Sequence, residues 1–174
     1  MKTLFLLRHA KSSRTPGWEN DFDRPLAERG LRDAPAIGAL MREEGRIPSL
    51  ALYSTARRAA ETWQLVAAEL GAEISGIGDE TLYLAAPQHL FKTVTSASDQ
   101  HASMLIVGHN PGLHDLALAL VGDGSSDDIA RLREGCPTGA LAEIRFEIDH
   151  WSGLSPASGR LERLVFPREI ENGT

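Results

Sequence analysis

Four residues of this chain have the chemistry to hold and attack a phosphoryl group. Arg8 and His9 follow directly on the apolar run 4–7, Arg58 lies within the stretch STARRAAET, and His109 begins the stretch HNPG. A guanidinium stays charged at any working pH, and its planar fork matches two phosphate oxygens. A neutral imidazole can attack phosphorus with one nitrogen while an acceptor holds the other. The transfer itself asks mainly for positioning and for neutralised charge on three equatorial oxygens. Arg8, Arg58 and His109 around a nucleophilic His9 meet that demand without a metal ion or other cofactor. A carboxylic acid such as Glu80, in the stretch GDETLY, could protonate a leaving group, its pKa raised by the bound phosphate. Such chemistry predicts a rate that falls in acid as His9 protonates and in alkali as the general acid ionises.

Residues so scattered act together only if the fold gathers them, and the hydrophobic pattern says how. Strands are expected over 2–8, 49–54, 73–77 and 103–108, with two late alternating strands over 140–148 and 159–167. Helices are expected over 26–44, stopped by Gly45, over 55–70, closed by Gly71, over 86–98, with Pro87 in the first turn, and over 113–121. Strands alternating with helices imply an α/β fold, a three-layer αβα arrangement around a mainly parallel mixed sheet, antiparallel at the last two strands. Ligands bind such sheets at the carboxyl ends of the strands, here after Leu7, Tyr53, Ile77 and Val107. Those are the places where Arg8 and His9, Arg58, Glu80 and His109 follow. Ser54, Arg58 and Thr62, spaced four apart, are expected on one helix face.

The composition narrows the alternatives. A length of 174 residues predicts a single domain over 1–174, and a net charge of −6 argues against nucleic-acid or anionic-membrane binding. Cys136 is the only cysteine, so neither an internal disulfide nor a thiolate metal cluster is expected, in keeping with a cytoplasmic location. The apolar run 4–7 is too short for the core of a signal peptide, and no stretch approaches a membrane span. His114 lies five residues beyond His109, roughly 140° around a helix, so the two do not form a metal pair.

LLRHAKS, STARRAAET and VGHNPG, in that order, resemble the histidine phosphatase superfamily, the phosphoglycerate-mutase-like group. The short length, RHAKS in place of RHG, DFDRPLAERG and CPTGAL are similar to its compact bacterial branch, the SixA-type phosphohistidine phosphatases. The resemblance implies that His9 is the phosphorylated nucleophile, with Arg8 binding phosphate beside it. It selects Arg58 rather than Arg57, makes His109 the second histidine on the phosphoryl oxygens, and aligns Glu80 with the proton donor. It implies a phosphorylated protein as substrate, with a small phosphomonoester as the alternative. A non-catalytic phosphate-binding or phosphoprotein-binding module is the reading from another class.

Around these residues, Ser12 and Arg24 are candidates for substrate binding. Trp18 and Phe22 are expected at the mouth or under the loop, and Cys136 as a small buried hydrophobe. The oligomeric state has no signal in the sequence.

Overall fold

The computed structural model describes residues 1–15, 17, 20–71 and 73–171. The strands are β1 (Lys2–Arg8), β2 (Leu50–Ser54), β3 (Ser75–Asp79), β4 (Ser103–Gly108), β5 (Val121–Gly124), β6 (Leu141–Phe146) and β7 (Gly159–Val165). They form one sheet in the order β3-β2-β4-β1-β6-β7-β5. Pairing is parallel for β3/β2, β2/β4, β4/β1 and β5/β7, and antiparallel for β1/β6 and β6/β7. The helices are α1 (Glu28–Glu43), α2 (Arg57–Leu70), α3 (Pro87–Thr95), α4 (Gly112–Leu120), α5 (Ser126–Glu134) and α6 (Pro167–Glu171). None of them is long and apolar enough to cross a membrane.

Strand β1 lies inside the sheet, and its period-two alternation feeds two cores. Leu4 and Leu6 pack with Met104, Ile106, Leu116 and Trp151 on the side of α3 and α4. Phe5 and Leu7 pack with Ile37, Met41, Trp63 and Val66 of α1 and α2 on the other. A strand covered on both faces has no polar positions to spare, which is why the run 4–7 is uniformly apolar. The charged residues of β1, Lys2 and Arg8, stand at its two ends.

Several elements differ from the sequence reading. Ser54 ends β2 instead of opening a helical face, since α2 begins at Arg57. Strand β3 starts two residues later than expected and pairs through Asp79, beside Ser54. Strand β5 begins at Val121, the expected last residue of a helix, and helix α5 falls where the sequence reading assigned no element.

The loop after β1 is fastened to α1 and α2. Ala27 N–H donates to the Lys11 carbonyl (2.8 Å), Ser13 N–H to Pro25 (2.9 Å) and Arg57 N–H to Phe22 (2.9 Å). Gly30, in the first turn of α1, lets that helix lie against the loop, because a Cβ there would overlap the Lys11 backbone carbonyl. Gly30→Ala is therefore expected to destabilise the protein by about 1–3 kcal/mol despite its better helix propensity. A chemical-denaturation midpoint equal to or above that of the parent would contradict the close approach.

Candidate active site

His9 lies just past β1, Ser54 at the end of β2, Arg58 in the first turn of α2, and His109 between β4 and α4. All are at the carboxyl ends of parallel strands. His9, Arg58 and His109 are 6%, 2% and 3% exposed. Burial of three polar side chains together is tolerable only because each is hydrogen-bonded.

Those bonds fix the protonation pattern. His9 Nδ1 lies 2.8 Å from the Ala10 carbonyl, an acceptor only, so Nδ1 carries the proton and Nε2 is the bare nitrogen. Arg58 Nε–H donates to that His9 Nε2 at 3.3 Å. Arg58 Nη2–H donates to His109 Nδ1 at 3.3 Å, so the proton of His109 sits on Nε2, from which it donates to Ser54 Oγ at 2.8 Å. The two imidazole centroids are 5.1 Å apart. One edge of the Arg58 guanidinium, Nε with Nη2, thus faces both histidine nitrogens.

Its other edge is held by a residue the sequence reading did not single out. Arg58 Nη1–H donates to the Asp21 carbonyl (2.7 Å) and Nη2–H to Asp21 Oδ2 (2.9 Å). Tyr83 O–H donates to the same Oδ2 at 2.7 Å, and its ring meets His109 edge-on at 5.4 Å. Tyr83 and the Arg58 and Arg24 guanidiniums hold the Asp21 carboxyl below the usual range. The only advance signal for Asp21 was its presence in the polar loop DFDRP. Thr62 completes the scaffold: its Oγ1–H donates to the Arg58 carbonyl (2.6 Å) while its oxygen accepts from Ala10 N–H (3.0 Å).

Arg8 stands on the other side of His9. Its Nη1–H donates to the Cys136 carbonyl at 2.8 Å, and its Nε–H is buried without a partner among the described residues. Asn110 Nδ2–H donates to the same carbonyl (3.0 Å), and Gly139 N–H reaches the Arg8 and His9 carbonyls (3.1 Å each). The segment CPTG therefore braces the strand end. Cys136 itself is half-buried, and burial pushes its thiol up to about 11.

Arg8, His9, Ser12 and Arg24 line a pocket of about 380 Å³. Glu80 is not in its wall. It opens a one-turn helix after β3 and is exposed, and its carboxylate has no hydrogen bond or ion pair with the cluster among the described residues. Phe22 packs edge-on against Tyr83 (5.0 Å), as a prop under the loop. Trp18 lies outside the described residues. Among those residues no three His, Cys, Asp or Glu side chains converge as a metal-binding set.

Burial, with the neighbouring cations, pushes His9 down to about 3 and His109 down to about 4. In the unfolded chain both take a proton near pH 6.5, so between that pH and the folded values the unfolded state binds more protons. Stability is then lost as pH falls from about 6.5, by up to about 1.4 kcal/mol per pH unit for each histidine. The melting temperature should fall steadily from pH 6.5 to 4.5, and less steeply in His109→Asn. An unchanged melting temperature over that interval would contradict buried neutral imidazoles.

Known proteins are similar to this chain in sequence and in fold. The family model of the histidine phosphatase superfamily (branch 1) matches residues 4–79. An uncharacterised protein of Mycobacterium leprae is 36% identical over 166 residues, covering 93% of this chain and all of its own. The crystal structure of an Agrobacterium tumefaciens protein, provisionally named phosphohistidine phosphatase SixA, superposes with a TM-score of 0.81 at 29% identity, covering 95% of this chain and 98% of that one. A protein histidine phosphatase SixA complexed with tungstate has the same fold, with a TM-score of 0.75 at 18% identity over 97% of this chain and 99% of that one.

Proposed function

This chain belongs to the histidine phosphatase superfamily, and we propose that it removes phosphate from phosphohistidine on proteins, through a phosphohistidine of its own at His9. The observation that carries the reading is the hydrogen bond from His9 Nδ1–H to Ala10, which leaves Nε2 as the nucleophile. Phosphoryl oxygens enter against the Nε–Nη2 edge of Arg58 and the unpartnered Nε–H of Arg8. In the first step Nε2 forms a bond to phosphorus as the bond from phosphorus to the leaving atom breaks. Charge on the equatorial oxygens meets Arg8, Arg58 and His109, the last able to donate from Nδ1 once phosphate brings it a proton. In the second step water attacks phosphorus, the P–Nε2 bond breaks, and orthophosphate leaves with His9 neutral again.

The leaving group decides the substrate class. Asp21 is held ionised by Tyr83 and two arginines, and the exposed Glu80 side chain is not hydrogen-bonded to the cluster, so no carboxylic acid is fixed within it to protonate an alkoxide. Phosphohistidine does not ask for one, because its departing imidazole is a stable neutral base once protonated from solvent. An alkyl phosphate needs that acid.

The test is a panel: a phosphohistidine-bearing protein, an aryl phosphate and an alkyl phosphomonoester. Turnover of the first two, with the alkyl ester slower by on the order of 10²-fold or more, is expected. Equal or faster turnover of the alkyl ester would move the assignment to a small-molecule phosphomonoesterase. Binding of phosphate or vanadate with no turnover of any substrate would leave a binding module.

A further inference from the structure

The pocket beside His9 carries more positive charge than one phosphoryl group uses. Beside Arg8, its wall holds Lys11, Arg14, Arg24 and Arg29, and no carboxylate. Arg24 pairs with Asp21 (3.0 Å) and Arg29 Nε with the buried Asp33 (3.3 Å), whereas Lys11 and Arg14 have no ion pair among the described residues. A larger cavity of about 990 Å³ adjoins this pocket and shares Arg8 and Arg29 with it. Its wall adds Arg32, Arg131 and Arg168, against the single carboxylate of Glu134.

These cations are not equivalent. Arg131 is committed to the fold, bonded to Asp128 and Glu169 and lying 4.5 Å over the Phe166 ring. Arg29 and Arg32 are 51% and 60% exposed and stand three residues apart near the N-terminus of α1. Cations at that end oppose the helix dipole, so the dipole gives no reason for them, although each pairs with a carboxylate one turn away. The partner of Arg32, Glu28, is itself 92% exposed, so water screens the pair and it adds little to stability. In a chain of net charge −6, this is a local reversal of sign around the mouth of the site.

We infer that Arg29 and Arg32, with Lys11 and Arg14, form a cationic apron that receives acidic side chains flanking the phosphohistidine of a protein substrate. The inference rests on the phosphohistidine reading above and adds the character of the surface that carries it. Two adjoining cavities of about 380 and 990 Å³ reach well beyond the space a phosphomonoester fills. Complementary charge of this kind raises encounter rates and selects partners, and it weakens with salt.

The experiment compares two phosphohistidine peptides of equal length, one flanked by Asp and Glu, the other by Ser and Gly. An aryl phosphate reports the intact catalytic centre. The parent protein should favour the acidic peptide by about tenfold in kcat/KM at low salt, and by much less in about 0.5 M salt. In the double variant Arg29→Ser, Arg32→Ser that ratio should fall to within about twofold of unity. Because the readout is a ratio, a general loss of activity does not mimic it. If the parent hydrolyses both peptides equally, or the variant keeps the preference, the apron has no such role and the phosphohistidine reading stands. If neither peptide is hydrolysed while the aryl phosphate is, the phosphohistidine reading fails and this inference fails with it.

Discussion

Replacing His9 with Asn should lower turnover on the order of 10⁴-fold or more while leaving the fold intact. Asn is close to imidazole in size and can keep the bond to the Ala10 carbonyl, but it has no nitrogen that can accept a phosphoryl group. The loss should appear in kcat with every substrate, since all of them pass through the same intermediate. Rapid quenching of the parent protein should capture a phosphate adduct that survives base and is lost in acid, and the variant should form none. The variant should also lose less stability than the parent between pH 6.5 and 4.5, because one buried neutral imidazole is gone. Full turnover in His9→Asn would sink the covalent mechanism. Loss of turnover with an adduct found at His109 would transfer the nucleophile's role there.

Arg58→Lys, nominally conservative, should reduce kcat/KM by about 10²- to 10³-fold, or roughly 2.7–4 kcal/mol of transition-state stabilisation. Arg58 uses both edges of its guanidinium at once, one on Asp21 and the other on the two histidines. A lysine ammonium is a point charge on a flexible stem and cannot form either fork. Asp21 acts through Arg58 as a positioning residue, so Asp21→Ala should show a smaller loss, about tenfold in kcat, with the aryl phosphate KM changed less. Tyr83, which shares the Asp21 carboxylate, is expected to follow the same pattern. Melting temperatures near that of the parent would separate these effects from unfolding. Equal activity of Arg58→Lys and the parent would mean that the phosphoryl group meets charge at that position without needing the fork.

Much of this site was legible because its signals are local. The uninterrupted apolar run 4–7 reads as a strand covered on both faces, as it is, and the residues after such a strand lie at a sheet end. The four-residue spacing of Arg58 and Thr62 gave a shared helix face, and the Thr62 hydroxyl does bond the Arg58 carbonyl. Helix α5 also had readable ends: Ser125 before it, Asp127 and Asp128 in the first turn, Arg131 and Arg133 in the last, and Gly135 after it. Strand β5 had none. Val121–Gly124 is half glycine and becomes a strand only by pairing with β7, which arrives some forty residues later in the chain.

The sequence by itself determined the layered α/β fold and offered the two histidines and two arginines as candidates, because strand ends and motif spacing are properties of neighbouring residues. The tertiary structure alone decided which nitrogen of His9 is free, since that depends on the direction of a carbonyl one residue away. It alone brought Asp21 and Tyr83, sixty-two positions apart, onto the back of Arg58. It left Glu80 exposed, where a motif alignment had offered it as an acid. Hydrogen bonds between side chains are set by ångströms and angles across elements, and such distances have no period in a sequence.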